Sequence, residues 1–144
     1  MVIGQICSKR VVSVPMSAPL SDVVVLMRSE HVGAVIVTKS PIDRPVAVGI
    51  VTDRDILRAQ LDGTADLSRL SAGDVMTHDP LVVSEQSSVS EAIHALRKRG
   101  VRRAPVVGPH GELRGMISTD DLVTHVALDV MSLAGPLARQ GSRS

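Results

Sequence analysis

The stretch GIVTDRDIL at residues 49–57 returns as GMISTDDLV at residues 115–123, 66 positions later. Each copy is a glycine, three residues ending in a hydroxyl (Thr52 or Ser118), two spacers, an aspartate (Asp55 or Asp121) and an apolar pair. The apolar residues before the hydroxyl suit a strand. A hydroxyl followed three positions on by a carboxylate suits a helix start in which each side chain bonds the other's amide. The phrase is therefore a strand-to-helix junction, written twice.

The duplication extends well beyond the phrase. Leu20, Val23, Val24 and Met27 have the spacing of one helix face, and a shift of 69 gives Val89, Ala92, Ile93 and Leu96. Asp22 and Glu91 fall in the matching first turns, where a carboxylate suits the positive helix end, and Ser88 with Glu91 fits a capping box. Strands are expected at 34–37 and 104–107, with Pro105 at a start or edge because it has no amide to donate. The next loop is three residues shorter in the second copy, which reduces the offset from 69 to 66. Strands at 46–51 and 113–117 then lead into the quoted junctions. Ile56, Leu57 and Leu61, and likewise Leu122, Val123 and Ala127, are expected on the buried side of the helices that follow. Short extended pieces at 11–14 and 81–83 precede the first helix of each copy.

Each half thus reads strand, helix, strand, strand, helix. The expected division is 1–61, a linker at 62–73 that Leu67 and Leu70 hold to the fold, 74–130, and a C-terminal tail at 131–144 beginning near a Gly135-Pro136 stop. Units of about 60 residues bury little surface alone, so the two are expected to pack about a pseudo-twofold axis as one α+β body.

Composition narrows the function. With 44% hydrophobic and 22% charged residues in 144, the chain is globular, and its net charge of +1 gives no global field for nucleic acid or an anionic membrane. The chain has no Phe, Tyr or Trp, so no base can stack on an aromatic ring, and single-stranded nucleic acid is an improbable ligand. The lone Cys7 has no internal disulfide partner, and no run resembles a signal or membrane span; a cytoplasmic setting is expected. His31, His78, His94, His110 and His125 have no metal-ligand spacing, and no local nucleophile triad is visible. Neither a metal nor a catalytic set is expected.

Two readings of the junction stay open. The hydroxyl and carboxylate can serve only to cap a helix. Alternatively, the helix end and hydroxyl hold a phosphate while the carboxylate accepts from a sugar diol, with Gly49 and Gly115 allowing close backbone approach.

The paired phrases, VMTHDPLVV at 75–83, the helix stripes and VRRAPVV at 101–107 together resemble a tandem pair of CBS domains, the regulatory modules named after cystathionine beta-synthase. The resemblance covers residues 3–130 and implies two βαββα repeats in a stand-alone Bateman-type module with clefts for adenosyl ligands. It implies ribose contacts from Asp55 and Asp121, and phosphate contacts near Thr52, Ser118 and Thr119. It implies an adenine edge at Ser13 and Val14 in one half and at Pro80, Leu81 and Val82 in the other. Arg102 and Arg103, continued by Ala104 and Pro105, match a phosphate clamp, with Arg54 reaching across the axis. Because the first half has Gly33 and Ala34 where the second has Arg102 and Arg103, the cleft of Asp121 is expected to be the stronger.

The implied ligand is AMP, ADP or ATP, or else NAD or S-adenosylmethionine, and no cofactor is obligatory. The implied partners are a second copy in a homodimer and an effector protein of unknown identity, with neither nucleic acid nor membrane. The other reading is a ligand-free interaction scaffold in which the phrases are caps alone.

Overall fold

Leu20, Val23 and Met27 recur at helical spacing and form the buried side of α1 (Leu20–Glu30), which follows β1 (Ser13–Pro15). The computed structural model describes residues 1–39, 45–62 and 66–143, with side chains as far as Leu133. The first half continues through β2 (Ala34–Lys39), β3 (Val46–Thr52) and α2 (Asp53–Leu61). A short 3-10 turn (Leu67–Arg69), α3 (Ala72–Val75) and β4 (Thr77–His78) follow. The second half repeats the order in β5 (Val83–Ser84), α4 (Val89–Arg99), β6 (Arg103–Val107), β7 (Leu113–Ser118) and α5 (Thr119–Arg143). The expected α+β architecture of two βαββα repeats is present. Part of the unequal loop at 38–48 and part of the linker at 62–73 lie outside the described residues.

The register keeps the sequence offsets. β1 lies parallel to β2 with Val14 opposite Val37, and β5 lies parallel to β6 with Val83 opposite Val106, so both partners move by 69. β3 and β7 return antiparallel on β2 and β6. Val46 bridges Glu112, its own counterpart under the offset of 66, which places the pseudo-twofold axis between those two residues.

The cores divide differently from the linear sequence. Ile3 and Cys7, at the start of the chain, join Val83, Ala92, Leu96, Val106, Ile117 and Leu122 in the second core. Ala72 and Met76 join Val14, Leu20, Val23, Val35, Val37 and Val51 in the first. Each half thus lends the segment ahead of its first strand to the other. Thr77 bridges Ile50 in the first sheet, and the equivalent Ser8 bridges Met116 in the second. A fully buried side chain such as Ile3, Leu20 or Ile117 contributes about 1.5–3 kcal/mol relative to exposure. Leu67 and Leu70 pack on the first core, as their apolar character in a polar linker suggests.

Two expectations are corrected. Of the apolar residues assigned to the junction helices, Ile56 and Leu122 are buried, but Leu57, Leu61, Val123 and Ala127 are exposed. α2 and α5 lie at the rim and turn only one narrow side to the sheet, leaving the rest as apolar surface. Nor does the chain stop at Gly135-Pro136, since α5 runs to Arg143. Ala134, Leu137, Ala138 and Arg139 favour helix on both sides of the pair and oppose the helix-breaking tendency of Pro136.

Candidate functional site

Both junctions form reciprocal caps. The Thr52 amide donates to Asp55 Oδ2 at 2.9 Å and the Asp55 amide donates to Thr52 Oγ1 at 3.2 Å. The second copy is the same, with the Ser118 amide to Asp121 Oδ2 at 3.2 Å and the Asp121 amide to Ser118 Oγ at 3.1 Å. At α2 the other two first-turn amides are also paired, Asp53 with the Gly33 carbonyl at 3.0 Å and Arg54 with its neighbour's Asp53 Oδ1 at 2.8 Å. That helix end therefore leaves no amide for a phosphate, and cationic side chains must take that role. Asp55 meets Thr52 through Oδ2, and its Oδ1 carries no hydrogen bond among the described residues.

The phrase glycines also serve the fold. A Cβ on Gly49 would stand 2.3 Å from Met76 Sδ, and one on Gly115 would stand 2.5 Å from the Ser8 carbonyl oxygen and 2.7 Å from Cys7 Sγ. The close approach is made by the exchanged segments. It is not reserved for a ligand.

Two clefts flank the axis. The first, of about 410 Å³, gathers Thr52, Arg54, Asp55 and Arg58 from the first half with Pro80, Leu81, Arg99, Arg102, Arg103 and Pro105 from the second. The second, of about 570 Å³, gathers Met116, Ser118 and Asp120 with Arg10, Val11, Val12, Glu30 and His31. Arg103 lines both. A third depression, between α4 and α5, is almost wholly apolar and is lined by Ile93, Leu96, Val101, Leu122, Val123 and Val126. Among the described residues no cluster of His, Cys, Asp or Glu is placed to hold a metal, and no helix is long and apolar enough to cross a membrane.

The sequence profile of the CBS domain matches residues 3–62 and again residues 72–128. The chain belongs to the CBS domain family. Among relatives, YlbB of Bacillus subtilis is 34% identical over 70% of this chain and 66% of its own length. The mitochondrial CBS domain-containing protein CBSX3 of Arabidopsis thaliana is 31% identical over 73% of this chain and 51% of its own. The chain thus spans half to two-thirds of these two relatives' length. The inosine-5'-monophosphate dehydrogenase of Mycobacterium bovis is 34% identical, but over 14% of its length. Among solved structures, CBSX2 in complex with AMP superposes with a TM-score of 0.72 at 26% identity, covering 90% of this chain and 98% of that one. A protein with CBS domains from Burkholderia ambifaria superposes at 0.76 with 25% identity, covering 90% and 96%.

Within this CBS pair, Thr52, Arg54, Asp55, Pro80, Leu81, Arg102, Arg103 and Pro105 share one cleft, and Ser118 lies in the other with Arg103. Both arginines therefore line the cleft of the first junction, and Arg103 lines that of the second as well, whereas the sequence led to the pair being expected at the second alone. Packing about the axis sets the head of β6 against the start of α2, so each cleft takes its junction from one half and its extended segment from the other. Several expected site residues lie elsewhere. Val14 is a core residue, and Val11 and Val12, not Ser13 and Val14, line the second cleft. Val82 is exposed outside both clefts and Ala104 is fully buried. Thr119 donates through its amide to the Arg102 carbonyl at 2.7 Å and lines the apolar depression, while Asp121, which caps its helix as Asp55 does, lines neither cleft. The true offset of 69 makes Val11 and Val12 the counterparts of Pro80 and Leu81, a correspondence that the register shows directly.

Arg58, Arg99, Arg10, Glu30 and Asp120 were not expected in the clefts. A signal for Arg58 was available, because it stands four residues after Arg54 on the same helix face.

Proposed function

We propose that this CBS pair is a non-enzymatic regulatory module that binds an adenosyl ligand beside its pseudo-twofold axis and signals occupancy through an effector protein or through self-association. The observation that carries this reading is the first cleft, where the unpaired Oδ1 of Asp55 shares a space of about 410 Å³ with the Pro80-Leu81 segment and Arg102 and Arg103. That volume suits a small-molecule ligand. A sugar diol suits the carboxylate, backbone groups of an extended segment suit a base edge, and guanidinium groups suit phosphate. Adenine would lie between aliphatic groups such as Ile50 and Leu81, since the chain has no aromatic ring. The complex of CBSX2 with AMP supports this class of ligand. AMP, ADP, ATP, NAD and S-adenosylmethionine are the compounds to test.

The ligand acts only through a difference in its affinity for two arrangements of the module. The exposed Val123, Val126, Val130 and Leu133 beside the apolar depression offer a surface for a second copy. A homodimer built there provides one readout of occupancy. Sedimentation of Val126→Glu against the parent protein tests it, with a monomer expected only for the variant.

A second reading, a ligand-free scaffold, is favoured by the completeness of both caps, which explains each phrase without any ligand. Absorbance separates the two. Protein without Trp or Tyr barely absorbs at 280 nm, so a 260 nm band released on denaturation and identified by mass reports a bound nucleotide. Clean protein together with no calorimetric signal from all five compounds favours the scaffold.

A further inference from the structure

We infer that the cleft at the first junction selects an adenosyl ligand carrying two or three phosphates, and that the cleft at the second junction has no such preference. This rests on the adenosyl reading above and specifies the ligand of one of its two sites. The first cleft collects Arg54, Arg58, Arg99, Arg102 and Arg103 against Asp53 and Asp55. Of the five, only Arg102 forms an ion pair among the described residues, an exposed and long one to Asp120 at 3.9 Å. The second cleft sets Arg10 and Arg103 against Glu30 and Asp120, and Arg10 is already paired with Glu30. One cleft thus holds a clear excess of positive charge and the other none.

The number of the cations separates one phosphate from several. Arg102 and Arg103 enter from the head of β6, while Arg54 and Arg58 stand one turn apart on α2, and all four line the same cleft. Arg99 is tethered at the rim through its Nη2, which donates to the Asp79 carbonyl at 2.9 Å. A single phosphate beside a ribose held by Asp55 has too few oxygens to pair with all four of these guanidinium groups. A chain of two or three phosphates supplies more oxygens and more negative charge. The first-turn amides of α2 are engaged within the protein, so they add nothing to this preference. Like charges gathered in one cleft repel each other, and a bound polyanion reverses that cost.

The test is calorimetric titration with adenosine, AMP, ADP and ATP at fixed ionic strength without divalent cations, on the parent chain and on an Arg54→Ala, Arg58→Ala double variant. ADP and ATP should bind about tenfold or more tightly than AMP, as expected for an added set of charge-assisted contacts, and the double variant should bring that ratio close to one. Equal affinities of AMP, ADP and ATP for the parent overturn the inference while leaving the adenosyl reading intact. No binding of any of the four overturns the inference, and the adenosyl reading falls with it if NAD and S-adenosylmethionine also give no signal. A preference that survives the double variant overturns the assignment to this cleft. Both arginines are exposed, so the fold should tolerate the change. Should the variant lose its circular dichroism, Arg99→Ala reads the same ratio from the rim.

Discussion

Arg103 faces Gly33 across the pseudo-twofold axis: its Nη1 lies 3.7 Å from the point a Cβ would occupy on that glycine, and Asp53 Oδ2 lies 3.3 Å from the same point. A Cβ at 33 would press on Asp53 and touch Arg103. Arg103 lines both clefts, while its neighbour Arg102 lines only the first. Arg103→Ala should therefore weaken nucleotide binding at two sites and Arg102→Ala at one, each by about tenfold where a phosphate contact is lost. Calorimetric stoichiometry distinguishes these outcomes, and equal effects of the two substitutions on both sites would refute the assignment.

The two junction aspartates should differ. Asp55→Asn keeps the shape of the side chain but removes the charge from a residue that lines a cleft, whereas Asp121 lines neither. Loss of affinity for AMP should be larger at Asp55, while either change weakens a cap by about 1 kcal/mol. Affinity and thermal melting, measured on the same preparations, separate the two effects. A larger affinity loss at Asp121 would reverse the ranking of the clefts.

The exchange of segments predicts damage at a distance in sequence. Ile3→Ala removes a fully buried side chain from the core built on Val83, Ala92 and Ile117, at a cost of about 2–5 kcal/mol. Hydrogen exchange should accelerate in the second sheet at least as much as in the first. Acceleration confined to the first half would disprove the exchange.

Gly49 and Met76 should be energetically coupled. Gly49→Ala drives a methyl group to 2.3 Å from Met76 Sδ and should destabilise the fold by about 1–3 kcal/mol. Met76→Ala vacates that space, so the double substitution should cost less than the two single ones together. Strict additivity in chemical denaturation followed by circular dichroism would contradict the contact.

Stability should also fall in acid through Glu112. Its carboxyl is held below the ordinary value of 4.5, first by its own backbone amide, then by the amide of His110 and the charge of Arg114, against an opposing effect of burial. A carboxyl that binds its proton more weakly folded than unfolded stabilises the fold above its unfolded pKa, and that contribution disappears as pH falls through the folded value. The Asp74 carboxyl is lowered in the same direction by the Ser71 amide and hydroxyl. Glu112→Gln should therefore be less stable than the parent at neutral pH, with the gap narrowing as the pH drops below 4.5. A constant gap would contradict the assignment.

The repeat, its offsets and nearly every element were legible because Leu20, Val23 and Met27, and Ala92 and Leu96, carry strong helical periodicity beside β-branched runs. The exchange was not. Ile3, Cys7, Ala72 and Met76 sit in segments too short to show a period, and only tertiary packing decides which core receives them. The same limit hid the meeting of Arg102 and Arg103 with Asp55 in one cleft, since the docking of two similar halves leaves no mark in either half alone. Assigning Ser13 and Val14 to a cleft failed for a smaller reason, as a two-residue error moves Val14 from a cleft wall into the core.

The crossed segments bear on how the chain is made. Ile3 leaves the ribosome more than a hundred residues ahead of its neighbours Val106, Ile117 and Leu122. At about 5–20 residues per second, that apolar segment waits for roughly 5–20 s before its site exists. The first half must wait in turn for Met76. The first core closes only after its own repeat has been made, and the second only as its own repeat is finished, so chaperone demand should be concentrated on the unfinished chain.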